Sequence, residues 1–275
     1  MSSKTHQYSA PAPVVIVHGM WSTPEALADL RKHFEAGGHT VYTPALPYHK
    51  PMAEMDRATQ AGLAKSGIGT YVAAIRQLVQ GLDRPPILIG HSMGALIAQL
   101  VAQRTDIEGL VLISSAPPAG INAWSWSVIR TFGHNLFKFP MWKVLTDLRP
   151  ENIRYGIANT QSVEVQRDIL RLSTYESGLA SFQLGMWFLF RRPATRLDTA
   201  AIRCPVLLVS GREDRITPIQ VQRKLAQRYG SKATLVELPG VCHWTIGGHA
   251  FESVVGEIDA WMSQKNPALE PSKAA

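Results

Sequence analysis

The sequence predicts an α/β fold with a mostly parallel sheet of about six strands and helices on both faces. Short runs rich in Val, Ile and Leu recur along the chain and have the length and composition of strands that are buried on both faces. Segments with apolar residues at helical spacing lie between these runs, and this alternation is typical of parallel strands joined by helices. The predicted strands are residues 13–17, 41–42, 87–89, 110–113, 206–209 and 235–236.

Several of the intervening helices have recognisable boundaries. Thr23-Pro24 predicts an N-cap followed by the first residue of a helix, and Gly37-Gly38 predicts the end of that helix. Residues 72–82 and 251–262 carry apolar side chains at helical spacing. These segments are therefore expected to cover the sheet.

Length and composition limit the class of protein. With 275 residues, of which 45% are hydrophobic and 18% charged, the chain suits one large domain or two small ones and is not disordered. No stretch approaches the roughly 18 consecutive apolar residues of a membrane-spanning helix, and no apolar segment of signal-peptide length precedes residue 14. We therefore expect a soluble, cytoplasmic protein.

The alternation of strands and helices stops between about residues 117 and 200. No buried strand is recognisable there, and Trp, Phe, Met and Arg are frequent. We interpret residues 119–199 as a helical cap inserted into a core of residues 1–118 and 200–263. Residues 264–275 are rich in Pro, Ala and charged residues and are expected to form a flexible tail.

A Gly-x-Ser-x-Gly sequence connects the third predicted strand to the following helix. Residues 90–94 read Gly-His-Ser-Met-Gly, and in this context the serine occupies a sharp, strained turn that exposes its hydroxyl group. The two glycines are needed because the strand and the helix pass too closely for side chains. Ser92 is therefore predicted to be a nucleophile, and the alternative is a glycine-rich turn with an incidental serine.

A nucleophilic serine needs a histidine base, and the base needs a carboxylate that orients it and stabilises its cation. His243 follows the last predicted strand at the carboxyl end of the sheet, whereas His249 precedes the terminal helix and is interpreted as a solvated or capping residue. Asp214 follows the preceding strand, again at its carboxyl end. Its neighbour Glu213 is interpreted as a surface charge.

Acyl transfer also needs two hydrogen-bond donors for the oxyanion of the tetrahedral intermediate. The backbone N–H after the nucleophile, that of Met93, supplies one of them. The loop after the first strand reads His18-Gly19-Met20-Trp21, and Gly19 allows a turn that directs the N–H of Met20, or alternatively that of Trp21, toward the serine. His18 is interpreted as a structural hydrogen-bonding residue.

Together these motifs resemble the α/β-hydrolase family, and the resemblance spans nearly the whole chain. It implies a cap inserted between Ser92 and Asp214. Only twelve residues precede Pro13, so the first two strands of the fuller fold are expected to be absent or very short. The residues that carry the resemblance are His18-Gly19, residues 90–94, residues 211–218 and His243, in the chain order serine, acid, histidine.

Within this family, the serine turn and the His-Gly loop resemble those of carboxylesterases, monoacylglycerol lipases and lysophospholipase-like enzymes. The resemblance implies a serine hydrolase that cleaves carboxylic esters with an apolar acyl or alcohol part through an acyl-enzyme on Ser92. Carbon–carbon bond hydrolases, thioesterases, acyltransferases and non-catalytic receptors share these motifs and stay alternatives. Family members with an aspartate nucleophile, such as epoxide hydrolases and haloalkane dehalogenases, are disfavoured by Ser92.

The predicted cap contains many large apolar residues, which either form its own core or line a pocket for a small lipophilic ester. No cofactor or metal site is expected, because the sequence has no H-E-x-x-H motif, no Walker loop and no complete dinucleotide fingerprint. Cys204 and Cys242 lie at opposite ends of neighbouring predicted strands, roughly 20 Å apart, which is too far for a disulfide. The expected substrate-binding residues are Trp21, Trp124, Trp126, Trp187 and Trp244.

The formal net charge of +7 has three candidate explanations. A solvated basic surface is favoured because acidic residues are interspersed, weak association with an anionic membrane surface comes second, and nucleic-acid binding is disfavoured. The sequence does not indicate an oligomeric state. The densest basic group consists of Arg191, Arg192 and Arg196.

Overall fold

Six parallel strands form the central sheet of the computed structural model, which describes residues 11–265. These strands are β1 (Val14–Val17), β2 (Val41–Tyr42), β3 (Ile87–His91), β4 (Gly109–Ile113), β7 (Val206–Gly211) and β8 (Ala233–Leu238). Their order across the sheet is β2-β1-β3-β4-β7-β8, and every adjacent pair is parallel. The predicted fold class and number of strands are confirmed.

Burial distinguishes the central strands from the edge strands. Every residue of β1, β3, β4 and β7 is buried, as predicted for strands covered on both faces. The two edge strands are more accessible, since Tyr42 in β2 is exposed and most of β8 is only half-buried. The prediction that these two strands are buried on both faces is wrong, because each has a neighbour on one side only.

Helices cover both faces of the sheet. They are α1 (Ala28–Ala36), α2 (Arg57–Lys65), α3 (Ile68–Gln80), α4 (Met93–Ala102), α9 (Ile219–Tyr229) and α10 (Phe251–Lys265). Successive side chains of a strand point to opposite faces. Val15 and Val17 accordingly pack with α3, α4 and α9, whereas Val14 and Ile16 pack with α1 and α10. The sheet therefore lies between two hydrophobic layers.

The predicted boundaries of the first helix agree with the structure, and those of the last helix do not. Pro24 begins a 3₁₀ turn that leads into α1, and Gly37 is the C-cap that follows the last residue of α1. At the other end of the chain, α10 continues to Lys265, so residues 264 and 265 belong to a helix and not to the predicted tail. Residues 266–275 of that tail lie outside the described residues.

The insertion between β4 and β7 contains helices and a short antiparallel ladder. Its helices are α5 (Trp126–Phe132), α6 (Pro150–Asn152), α7 (Val163–Leu172) and α8 (Gly178–Gly185), and β5 (Leu145–Thr146) pairs with β6 (Glu176–Ser177). The sequence predicted helices alone in this insertion, so the ladder of β5 and β6 corrects that prediction. Division of the chain at residues 119 and 199 into core and cap stays a prediction. No helix within residues 11–265 is long and apolar enough to cross a membrane.

The turn between β3 and α4 packs directly against β1. A methyl group on Gly94 would overlap the carbonyl oxygens of Val17 and His18, and one on Gly90 would overlap the backbone of Gly94 and Ala95. Both glycines are therefore required by close backbone contacts, as the sequence predicted.

Gly94→Ala is expected to lower the free energy of unfolding by about 3 kcal/mol, because the added methyl group displaces the central strand β1. Urea denaturation followed by circular dichroism measures this change. Gly256→Ala in α10 is the matched control, since its new methyl group would meet no atom within 4 Å. It should raise stability by about 0.5–1 kcal/mol, because alanine is the better helix former. Equal stability of the two variants would contradict this account.

Candidate active site

Ser92 occupies the turn between β3 and α4 with a φ angle of 56° and a ψ angle of −120°. A positive φ costs a residue with a side chain of order 1–3 kcal/mol unless surrounding structure imposes it. Here the Ser92 N–H donates to the Ile113 carbonyl at 2.9 Å, and the Ser92 carbonyl accepts from the Ala116 N–H at 3.0 Å. The segment at the end of β4 thus holds the strained turn in place.

Three of the predicted residues are brought together at the carboxyl end of the sheet. The Oγ atom of Ser92 lies 3.0 Å from Nε2 of His243, and Nδ1 of that ring lies 2.7 Å from Oδ2 of Asp214. All three residues are buried. Because a carboxylate accepts hydrogen bonds, Nδ1 carries the proton, and Nε2 can accept one from the serine. This is the geometry that activates a serine hydroxyl.

The carboxylate of Asp214 receives four hydrogen bonds. Oδ1 accepts from the backbone N–H groups of Ile216 and Thr217 at 2.9 and 2.7 Å. Oδ2 accepts from the Thr217 hydroxyl at 2.7 Å as well as from His243. These donors compensate for the burial of a negative charge.

The residues that the sequence offered as alternatives to Asp214 and His243 lie at the surface. Glu213 is exposed, and its side chain does not reach His243. His249 is also exposed, and its Nδ1 lies 3.0 Å from Oε1 of Gln161. Both positions agree with the interpretation of these residues as solvated side chains.

His91, which precedes Ser92, supports the other side of His243. Its Nε2–H donates to the His243 carbonyl at 3.1 Å, and the two ring centroids are 5.0 Å apart. Burial, together with the neighbouring His243, lowers the pKa of His91 to about 3. His91 therefore stays neutral at physiological pH and acts as a hydrogen-bond donor.

The loop after β1 lies against Ser92. A Cβ atom on Gly19 would be 3.0 Å from Cβ of Ser92 and 3.2 Å from the carbonyl oxygen of His91. Among the described residues, no backbone acceptor is bonded to the N–H groups of Met20, Trp21 or Met93. These are the N–H groups predicted to bind an oxyanion, and the choice between Met20 and Trp21 stays a prediction.

His18 fixes the conformation of this loop. Its Nδ1–H donates to the Gly19 carbonyl at 2.9 Å, and its Nε2 accepts from the Leu46 N–H at 3.1 Å. Complete burial, together with the neighbouring His49, lowers the pKa of His18 to about 3. The ring is therefore neutral, and its two partners require a single tautomer.

Sequence reasoning missed a second buried carboxylate, Glu176 of β6. Its Oε1 accepts from the Tyr71 hydroxyl at 2.8 Å and from the Ser177 N–H at 2.7 Å, and its Oε2 lies 3.0 Å from Nε2 of His49. The His49 ring in turn lies 5.1 Å from that of His18, centroid to centroid. Burial and the adjacent carboxylate raise the pKa of Tyr71, so its hydroxyl stays protonated. A row of buried polar groups thus links the insertion to the loop beside Ser92.

Two cavities meet at Ser92. One has a volume of about 290 Å³ and is lined mainly by apolar side chains of the insertion, and the other has a volume of about 40 Å³. Met20, Ser92 and Ile216 line both cavities. A group bonded to Ser92 can therefore extend in two directions of very different size.

The five predicted tryptophans are divided between these cavities and the surface. Trp124 and Trp187 line the large cavity, and Trp21 and Trp244 line the small one. The structure corrects the expectation for Trp126, which lines neither cavity and is 74% exposed. Trp124 and Trp126 are close in sequence but differ in orientation. The Trp124 indole N–H donates to the Gly185 carbonyl at 2.8 Å, whereas Trp126 is the first residue of α5 and faces the surface.

The remaining expectations concern thiols and metals. Cys204 and Cys242 are both buried, and no disulfide joins them in the structure. Within the described part of the chain, no three His, Cys, Asp or Glu side chains are grouped as a metal-binding cluster.

Comparison with known sequences gives a family. A model described as "Alpha/beta hydrolase family" matches residues 14–256. The AB hydrolase superfamily protein YisY of Bacillus subtilis (strain 168) is 29% identical over 147 residues, which are 50% of this chain and 53% of that protein. The chain thus spans about half the length of the curated relative that it matches.

The fold is also similar to that of solved hydrolases at low sequence identity. A methylesterase protein, MES16, from Arabidopsis has a TM-score of 0.67 at 17% identity, covering 92% of this chain and 99% of its own. A pyrethroid hydrolase from Sphingobium faniae JZ-2 has a TM-score of 0.67 at 18% identity, with 94% and 99% covered. The Paleococcus ferrophilus monoacylglycerol lipase has a TM-score of 0.67 at 20% identity, with 93% and 96% covered. Similarity at this level of identity shows the shared fold.

The free energy of unfolding is expected to fall as the pH is lowered from about 6.5 toward 3. In the unfolded chain His18 and His91 take up protons over this range, whereas in the folded protein their pKa values are about 3. Each histidine contributes a slope of up to about 1.4 kcal/mol per pH unit.

Urea denaturation at several pH values tests this dependence. His91→Gln retains an N–H donor for the His243 carbonyl. It should reduce the slope of the free energy of unfolding against pH by the contribution of one histidine. His249→Gln, at an exposed position, is the control and should leave the slope unchanged. If the slope of stability against pH were the same in His91→Gln as in the unaltered protein, folding would not lower the pKa of His91.

Proposed function

The chain belongs to the alpha/beta hydrolase family, and we propose that it is a serine hydrolase that cleaves carboxylic esters through an acyl-enzyme on Ser92. The observation that carries this proposal is the hydrogen-bonded row of Ser92, His243 and Asp214, with separations of 3.0 and 2.7 Å. The names of structurally similar proteins, among them a methylesterase and a monoacylglycerol lipase, favour an ester over a carbon–carbon bond.

In the proposed acylation step, the Oγ atom of Ser92 attacks the carbonyl carbon of the ester while its proton moves to Nε2 of His243. The N–H groups of Met20 and Met93 donate to the oxyanion of the tetrahedral intermediate. Asp214 stabilises the imidazolium through Nδ1. His243 then gives its proton to the alkoxy oxygen, the carbon–oxygen bond breaks, and the alcohol leaves.

In the proposed deacylation step, water takes the place of the alcohol. His243 removes a proton from the water as its oxygen attacks the acyl carbon, and the same N–H groups bind the second oxyanion. Collapse of this intermediate breaks the bond to Oγ, and His243 returns the proton to Ser92. The products are a carboxylic acid and the free enzyme.

The two cavities support a substrate with one bulky apolar part and one small part. A water-sized group needs about 10–15 Å³ of cavity volume. The large cavity of about 290 Å³ therefore holds roughly twenty such groups, and the small cavity of about 40 Å³ holds about three. Lys138 also lines the large cavity, but its ammonium group binds the Leu145 carbonyl and the Asp147 carboxylate. The large cavity is therefore suited to hydrocarbon, which gains about 0.8 kcal/mol per buried methylene.

Ser92→Ala, His243→Ala and Asp214→Asn are expected to fold and to lose several orders of magnitude in turnover of a p-nitrophenyl ester. Glu213→Gln and His249→Ala are the matched controls, and because both side chains are exposed they should stay within about twofold of the unaltered protein. Thermal melting checks that each variant folds. A larger loss in Glu213→Gln than in Asp214→Asn would disprove the assigned acid.

Covalent labelling and product counting separate the remaining alternatives. An organophosphonate probe should label Ser92, as located by peptide mapping. An enzyme releases many equivalents of p-nitrophenol, whereas a non-catalytic receptor that is acylated once releases a single equivalent. Matched ester and thioester substrates then determine which bond the enzyme prefers.

The specificity constant kcat/KM is expected to rise roughly threefold to fourfold for each methylene added to a p-nitrophenyl ester, from acetyl toward octanoyl, until the large cavity is full. Ala123→Trp adds an indole to this cavity and should shift the optimum to shorter chains. Ala36→Trp, at the exposed end of α1, should not. A flat profile in both the acyl series and a matched series of alkyl acetates would rule out the apolar pocket.

A further inference from the structure

The insertion carries an exposed apolar surface beside the large cavity. Phe137 and Phe139 are 87% and 85% exposed, and Phe188 and Leu189 are 55% and 59% exposed. With the exposed Trp142, these residues form what we call the apolar face. Large apolar side chains that are exposed as a group mark an interaction surface.

The apolar face is continuous with the lining of the large cavity. The ring centroids of Phe139 and Trp142 are 5.9 Å apart, and Trp142 lies 5.0 Å from Phe182. On the other side, Phe188 lies 5.9 Å from Trp187. Phe139, Trp142, Phe182 and Trp187 all line the cavity. The apolar face is therefore continuous with the large cavity through Phe139 and Trp142, whereas Phe137 and Phe188 do not line that cavity.

Most of the excess positive charge lies in the segments that carry this face. Residues 119–146 and 177–197 contain three basic residues each and no Asp or Glu, which amounts to six positive charges against a net charge of +7 for the whole chain. Lys138 is paired with Asp147. Among residues 11–265, several of the others are exposed and form no ion pair, namely Lys143, Arg191, Arg192 and Arg196.

The basic side of the face continues into a surface groove. Arg192 and Arg196 line this groove together with Arg76 and Arg104. Its lining also includes Asp198, whose carboxylate accepts a hydrogen bond from the Ala200 N–H at 3.0 Å. Four guanidinium groups around one groove attract phosphate groups.

We propose that the apolar face and the adjacent basic side chains dock the protein on the surface of an anionic lipid bilayer. The aromatic side chains would lie at the boundary of headgroups and acyl chains, while Lys and Arg contact lipid phosphates. Charge complementarity identifies this occupant, because the segments around the apolar face are basic and contain no acidic residue. A lipophilic ester dissolved in the bilayer then reaches the cavity without crossing water.

Vesicle flotation with the full-length Ser92→Ala protein tests this docking independently of any chemistry at the serine. Binding is expected for vesicles of phosphatidylcholine and phosphatidylglycerol, to weaken as the salt concentration rises, and to be much weaker for phosphatidylcholine alone. Arg191→Ala/Arg192→Ala should weaken binding by about 25-fold, since each basic residue near the surface contributes about fivefold. Lys32→Ala/Lys224→Ala, which removes the same charge from α1 and α9, should have little effect.

A second variant tests the apolar contribution. Phe137→Ser/Phe188→Ser should weaken binding by about tenfold or more. With Ser92 intact, the same variant should hydrolyse water-soluble p-nitrophenyl acetate at the unaltered rate, because neither phenylalanine lines a cavity at Ser92. Failure to bind anionic vesicles, or equal losses in the two charge variants, would overturn the proposal. A dimer of the unaltered protein in sedimentation analysis would also overturn the proposal if Phe137→Ser/Phe188→Ser converts it to a monomer. That result would show that a second copy covers the apolar face.

Discussion

Backbone contact between the turn at Ser92 and strand β1 determines where the groups of the site can lie. Gly94 touches the carbonyl oxygens at the end of β1, and Gly19 approaches Ser92 from the following loop. Side chains at these positions would hold the loop and the turn apart. The N–H groups that we propose for the oxyanion, those of Met20 and Met93, belong to these two segments, and the glycines allow the two segments to approach each other. Ser92 lies in the same closely packed turn with a φ of 56°, a conformation that persists only where surrounding structure imposes it.

Two buried carboxylates flank this arrangement and have different roles. Asp214 follows β7 and is hydrogen-bonded to His243, whereas Glu176 lies in the insertion between β4 and β7 and accepts from Tyr71 of α3. A buried carboxylate that loses its donors costs several kcal/mol. Moving β6 away from α3 and His49 would deprive the Glu176 carboxylate of these donors, so this part of the insertion is anchored. The apolar face is different, because Phe137 is almost fully exposed and has few contacts to lose.

Sequence reasoning anticipated where residues lie when a turn or a strand end imposes their position, and it failed where contacts join distant segments. Ser92 was predictable because the turn imposes glycines two residues away on each side, and Asp214 and His243 because both follow buried strands. The role of Glu176 was not predictable, since its distant partners, Tyr71 and His49, come from two other segments and neither belongs to a motif. The exposure of β2 depends on its having one neighbour in the sheet, which its composition does not reveal. The outward orientation of Trp126 likewise depends on where α5 begins.

The apolar residues of the insertion lie in three environments. Ile153 is buried in a hydrophobic cluster and lines neither cavity, Phe182 lines the large cavity, and Phe139 is mostly exposed while also lining that cavity. A small helical insertion has too little interior for all of its large side chains. Solubility alone would be served by charges of either sign at the apolar face. The segments that carry this face, residues 119–146 and 177–197, instead combine aromatic side chains with basic residues and contain no Asp or Glu, a combination that suits contact with an anionic lipid surface better than contact with water.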